Sequence, residues 1–314
     1  MVLLLALLVS TVAGLTAFLL IARWPHADPA LDVSEAVEED LRARSGPGSF
    51  VRDRMDPAKA TGLALTVALI GLVVAGIVVG LLAWTIRRDA GLVDVDHAVE
   101  IWADERATPL SDDVLGAITH LADTTTILVV GVAISVYGLW RFRRPVIPLL
   151  VASVVVGQIL ISNTIKTAID RARPDIRPRA DFSGTSFPSG HTTAAAATYL
   201  AVALVLGIAS SPRARAALAG AAVAIGIAVG CTRVLLGVHW FSDVLAGLAI
   251  GWSWFGICAV AFGGRLLRFG APADTALTAT ARADPTSNGS TEPRSGERGA
   301  LRTRPVRGSG LSDP

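Results

Sequence analysis

Residues 145–174 read PVIPLLVASVVVGQILISNTI and then KTAIDRARP: an uncharged run of 21 residues followed by four charged side chains in nine positions. A stretch of about 18 or more apolar residues is long enough to cross the hydrocarbon core as a helix. The break at Lys166 marks where this helix leaves the bilayer. Six further runs of the same kind lie on either side, at residues 2–22, 61–86, 124–140, 192–209, 216–236 and 241–262. The pattern predicts an all-α fold, a polytopic membrane helical bundle. It consists of a six-helix core plus one extra N-terminal transmembrane helix.

Composition agrees. Of 314 residues, 52% are hydrophobic and only 17% charged, with mean hydropathy +0.55; a soluble domain carries about 25% charged residues. A net charge of +2 is too small to indicate a nucleic-acid partner. Cys231 and Cys258 sit in successive apolar runs. At about 1.5 Å rise per residue their depths differ by well over 10 Å, too far for a disulfide. The first apolar run has no basic residues before it and exceeds the roughly 7–15-residue centre of a signal peptide, so it is expected to be retained.

Three domains are expected: residues 1–60 as the N-terminal helix and a cytoplasmic linker, 61–264 as the core, and 265–314 as a disordered cytoplasmic tail rich in Gly, Pro, Ser, Thr and Arg. Residues 87–123 read as an acidic loop, in which Asp94, Asp96, Glu100, Asp104 and Glu105 could form an interfacial helix. One face of the bundle collects Arg23, Arg42, Arg44, Arg52, Arg54, Lys59, Arg141, Arg143, Arg144, Arg213, Arg215, Arg265 and Arg268. The other has Arg87, Arg88 and Arg106 beside the motif residues below, so the first face is expected to be cytoplasmic.

The residues with chemical potential fall in three segments: Lys166 to Pro174, Pro188-Ser189-Gly190-His191, and Thr232-Arg233 through His239 to Asp243. Helices in a hairpin alternate direction, so the end of the run at 145–165, the start of 192–209, the end of 216–236 and the start of 241–262 share one membrane face. Lys166, Arg173 and Arg233 would surround one point with positive charge, and the planar guanidinium fork matches phosphate oxygens. Ser189 and Gly190 precede a helix, whose N-terminal N–H groups and dipole favour an anion. His239 and Asp243 lie one helical turn apart. A carboxylate there can keep one imidazole nitrogen protonated and free the other as a nucleophile. His191 is a second imidazole, suited to protonate a leaving oxygen.

The pattern Lys-x6-Arg-Pro, Pro-Ser-Gly-His, then Arg-x5-His-x3-Asp resembles the three-part signature of the type-2 phosphatidic acid phosphatase family, which is related to the vanadium-dependent haloperoxidases and bacterial acid phosphatases. The resemblance implies a helical-bundle core and removal of a terminal phosphate without metal or cofactor. It implies His239 as nucleophile, Asp243 as its orienting partner and His191 as general acid, with Lys166, Arg173, Ser189, Gly190 and Arg233 binding phosphate. The third motif of that family opens with Ser, where this chain has Thr232.

The resulting expectation is an integral membrane phosphatase acting through a phosphohistidine on a lipid phosphate or diphosphate. Candidate substrates are polyprenyl diphosphates such as undecaprenyl diphosphate, phosphatidic acid and phosphatidylglycerol phosphate, and the site would open on the extracytoplasmic face. A lipid phosphotransferase and a non-catalytic lipid-binding protein are the alternatives. Four smaller expectations accompany it. Asp170 and Arg171 form a local ion pair. Arg177 and Arg179 can touch an anionic headgroup or a diphosphate. Trp240 and Phe241 anchor their helix at the membrane interface. His26, His97 and His120 carry no role.

Overall fold

The computed structural model describes residues 1–23, 60–89, 91–180 and 184–268, with backbone alone for 60–68 and 263–268. Among them all regular structure is helical. The helices are α1 (Val2–Arg23), α2 (Ala60–Arg88), α3 (Leu92–Glu105), α4 (Pro109–Thr119), a 3-10 turn (His120–Ala122), α5 (Thr124–Phe142), α6 (Val146–Ile169), α7 (Gly190–Gly207), α8 (Pro212–Leu235) and α9 (Phe241–Arg268). All but α3 and α4 are long and apolar enough to cross a membrane, seven in total. The chain is a multi-pass membrane protein. The expected linker at 24–59, including His26, and the tail from 269 onward lie outside the described residues. Residues 265–268, expected to begin the tail, instead form the last turn of α9.

The acidic stretch at 87–123 is more ordered than a loop: residues 94–105, where a helix is expected, lie in α3, and α4 with the 3-10 turn follows where none is expected. In α3 the buried residues Asp96, Glu100 and Ala103 recur at helical spacing, so the helix covers the bundle with a partly charged face. In α4 Thr108 and Ser111 form a capping box and Pro109 stands in the first turn, a strong local start signal.

Helix α7 lies at the centre, packed against α5, α6, α8 and α9. Its sequence GHTTAAAATYLAVALVLG is nearly all small in its first half. Lipid tails are as apolar as Leu, so helices in a bilayer gain by close backbone approach between small residues. The neighbours supply matching glycines four residues apart: Gly226 and Gly230 on α8, Gly247 and Gly251 on α9. A Cβ at Gly251 would stand 2.7 Å from the Thr193 carbonyl oxygen, and one at Gly247 2.9 Å from that of Ser189. The extra helix α1 docks on α8 in the same way, where a Cβ at Gly14 would meet the Gly220 carbonyl oxygen at 2.8 Å. Its first turns, Val2 and Ala6, join a core cluster with Ala103, Leu115, Leu235 and Leu236.

A leucine at position 251 has no room, so Gly251→Leu is expected to destabilise the protein by roughly 1–3 kcal/mol. Gly76→Ala, where an added Cβ meets nothing within 4 Å, should be neutral. Melting temperatures of both variants in detergent measure the contrast.

Candidate active site

The ends of α6 and α8 and the starts of α7 and α9 meet on one side of the bundle, as helix alternation requires. After α8 the chain turns through Gly237, at φ +67°, a left-handed conformation that suits glycine; a Cβ there would also press the Arg177 carbonyl oxygen at 3.2 Å. The turn is closed by the Val238 and His239 N–H groups, both donating to the Arg233 carbonyl at 3.2 and 3.1 Å. His239 is thereby fixed one turn ahead of Asp243.

His239 is buried, with Nδ1 3.3 Å from Asp243 Oδ2. On its other side Arg173 Nη1 stands 3.0 Å from Nε2. A guanidinium can only donate, so Nε2 accepts and the ring proton sits on Nδ1, facing the carboxylate. Burial drives the His239 imidazole down to about 4 and the charges of Arg173 and Arg233 push the same way, against the pull of Asp243. The ring is therefore neutral near pH 7.

Asp243 is fully buried and collects donors from several segments. Arg171 Nη1 donates to Oδ1 at 2.8 Å and the Trp240 N–H to Oδ2 at 3.0 Å, and Ser186 Oγ donates to Oδ2 as well. The Ser189 N–H donates to the Asp243 carbonyl at 3.1 Å, tying the N-cap of α7 to α9. Lys166 Nζ donates to the Thr185 carbonyl at 2.6 Å, and Arg173 Nη2 to the same oxygen at 3.2 Å. Gly190 begins α7 with the Lys166 stem 3.9 Å from where its Cβ would be. Lys166, Arg173, Ser189, Gly190, His239 and Asp243 are thus brought together.

Arg233 and His191 are held from a different direction. Arg233 Nη1 donates to Thr119 Oγ1 at 2.9 Å, while its Nε is buried with no hydrogen-bond partner. His191 Nε2 lies 3.1 Å from Asp123 Oδ1. Arg173 and Arg233 are within electrostatic range of both imidazoles. Thr232, at the position that departs from the family signature, is buried and donates to the Val229 carbonyl at 2.7 Å, inside its own helix.

Several smaller expectations fail here for identifiable reasons. Arg171 does not pair with Asp170. Asp170 ends α6 at φ 49°, and Arg171 turns inward to bridge Asp243 and Asp96, donating to Asp96 Oδ2 at 2.8 Å. Asp96 also accepts from the Ser242 N–H at 2.8 Å and Ser242 Oγ at 2.5 Å, so a residue of the acidic stretch braces the start of α9. Trp240 is no interfacial anchor. It is buried, donates through Nε1 to the Ala172 carbonyl at 2.9 Å, lies under the Arg171 guanidinium at 5.1 Å, and meets the His97 ring edge-to-face at 4.8 Å. Arg179 is turned away from a headgroup by Asp104 and by the Leu235 carbonyl at 3.0 Å, whereas Arg177 is largely exposed and the expectation for it is not contradicted.

Among the described residues, seven membrane-crossing helices with basic side chains and two imidazoles at one end define an integral membrane protein. The sequence model of the PAP2 superfamily matches residues 147–266. The chain is 33% identical over 173 residues to phosphatidylglycerophosphatase B of Bacillus subtilis, covering 54% of this chain and 84% of that one. It is 43% identical over 113 residues to a lipid A 1-phosphatase of Rhizobium johnstonii, a match spanning 33% of this chain and 42% of the relative. Among solved structures it resembles the transmembrane PAP2-type phosphatidylglycerolphosphate phosphatase of Bacillus subtilis, with TM-score 0.57 and 29% identity over 62% of this chain and 96% of that one. The chain belongs to the PAP2 superfamily, and is a phosphoric monoester hydrolase of its membrane lipid phosphatase branch.

The depressed His239 value has a consequence for stability. The folded state binds a proton at His239 less readily than the unfolded chain, so its contribution is complete above about 6.5 and is lost as pH falls toward 4. Asp123 acts in the same sense at lower pH: burial raises its carboxyl, but bonds from His120 and His191 outweigh this and hold it below the usual range. Glu100, raised by burial, opposes both. The melting temperature in detergent should fall between pH 6.5 and 4.5, and less steeply in His239→Gln.

Proposed function

We propose that the chain hydrolyses a lipid phosphomonoester or diphosphate through a phosphohistidine at His239, without metal or cofactor. The observation that carries this reading is the ordered chain Arg173–His239–Asp243. Asp243 fixes the proton on Nδ1, and a cation rather than a proton occupies the lone pair of Nε2. On phosphate binding Arg173 exchanges Nε2 for a phosphate oxygen, and the buried Nε of Arg233 gains an acceptor. Lys166, the Ser189 hydroxyl and the N-terminal turn of α7, opened by Gly190, complete the cradle.

The lone pair on Nε2 then attacks phosphorus in line with the departing oxygen. The P–O bond breaks as His191, doubly protonated in the substrate complex, delivers one proton to that oxygen and becomes neutral. Water attacks the phosphohistidine in the second step. His191 takes a proton from it, the P–N bond breaks, and phosphate leaves with both imidazoles restored. The fixed cations stabilise charge on the equatorial oxygens throughout.

The site sits where the helices end, which supports a substrate whose phosphate lies at headgroup depth and whose acyl or prenyl tails remain in the bilayer. The relatives make phosphatidylglycerol phosphate the first lipid to test, followed by a lipid A-type glycosyl phosphate, phosphatidic acid and polyprenyl diphosphates. Arginine distribution among the loops supports an extracytoplasmic site.

Purified protein should release phosphate from at least one of these lipids in excess EDTA. His239→Ala should fall to background, and His191→Ala should lower the rate about 10²–10⁴-fold. Activity that vanishes in EDTA and returns with a divalent cation, or that survives His239→Ala, overturns the mechanism.

A further inference from the structure

Asp123 stands at the N-cap of α5, where a carboxylate ordinarily accepts from the first-turn N–H groups of its helix. It makes no such bond. Both oxygens instead face imidazoles: Oδ1 lies 3.1 Å from His191 Nε2 and Oδ2 2.7 Å from His120 Nδ1. The segment that carries Asp123 is pinned to α7 and α8, two of the helices that bear motif residues. Tyr199 of α7 donates its hydroxyl to the Leu121 carbonyl at 2.8 Å. Ala122 packs in one cluster with Ala195 of α7 and Val229 of α8, and Thr119 receives Arg233. Neither the cap position nor the core of α5 requires a carboxylate turned this way.

From this geometry we infer that Asp123, anchored by His120, is the positioning carboxylate of His191, fixing the orientation of the ring that exchanges protons with the leaving oxygen and with water. The inference rests on the proposed acid–base role of His191. It gives the site two imidazoles, each with a carboxylate on one nitrogen: Asp243 on Nδ1 of His239, Asp123 on Nε2 of His191. The bond to Asp123 leaves Nδ1 of His191 as the nitrogen for the reaction's proton. The charges acting on this ring are those of Asp123, Arg233 and Arg173. With Asp123 removed, two cations and no anion would face an imidazole that must become positively charged when it acts as base.

A leaving group that departs without a proton tests this directly. Full-length Asp123→Ala, Asp123→Asn and His191→Ala would be assayed in detergent on a long-chain alkyl phosphate and on a nitrophenyl phosphate bearing the same chain. The phenolate leaves unaided, whereas the alkoxide needs an acid. Asp123→Ala should lower kcat/KM on the alkyl ester about 10- to 100-fold, a part of the full general-acid effect. Its kcat/KM on the nitrophenyl ester should stay within about threefold of wild type, because kcat/KM reports the steps up to P–O cleavage and that ester does not draw on the general acid there, whereas the later hydrolysis of the phosphohistidine is common to both esters. Asp123→Asn, which keeps an acceptor for the ring N–H, should fall between. If His191→Ala shows the split between esters and Asp123→Ala does not, or loses both esters equally, the inference is wrong. If His191→Ala shows no split, the acid–base assignment of His191 is what fails.

Discussion

The buried carboxylate of Asp243 is the constraint that organises the rest of the site. An ionised group taken out of water costs several kcal/mol unless donors replace its hydration. Asp243 meets that need with the Arg171 guanidinium, the Ser186 hydroxyl, the Trp240 N–H and the His239 ring. Those donors come from the loop after α6, the loop before α7 and the turn into α9. Arg171 extends the network to Asp96 on α3, which in turn holds Ser242. A bundle assembled in any other register would leave this charge partly bare, and a half-satisfied polar network is worse than none. The arrangement that tolerates the charge is also the one that aims Nε2 of His239 at Arg173.

Beneath the site, the bundle is held by shape rather than by polarity. The alanine-rich face of α7 lets α8 and α9 approach until their glycines touch its backbone. That approach places Ser189 close enough to donate its N–H to the Asp243 carbonyl. Small residues in the membrane and charged residues at its edge are therefore parts of one design. The packing sets the distance between α7 and α9, and the hydrogen bonds use it.

The seven spans and the shared face of the three motifs were legible in the sequence because length, hydropathy and helix alternation are one-dimensional signals. The bonds of Arg171 and Asp96 were not, since an ion pair between residues 75 positions apart leaves no local trace. Adjacency suggested an Asp170–Arg171 pair. The left-handed turn at Asp170 that separates them is a backbone event no side-chain pattern announces. Trp240 looked like a membrane anchor by its place at a span's start, and it is buried by residues distant in sequence, Arg171 and Ala172 after α6 and His97 of α3. Asp123 sits at a helix start, where an acidic residue is expected for capping alone, so the sequence offered no reason to look for its imidazole partners.

The central claim is that Nε2 of His239 becomes covalently bonded to phosphorus. Protein mixed rapidly with a lipid phosphate, quenched in alkali to preserve a phosphoramidate, and digested for mass spectrometry should carry phosphate on the peptide containing His239. The mark should be lost on acid treatment and absent without substrate. Turnover with no phosphate on that imidazole, or with phosphate on His191 instead, would contradict the account.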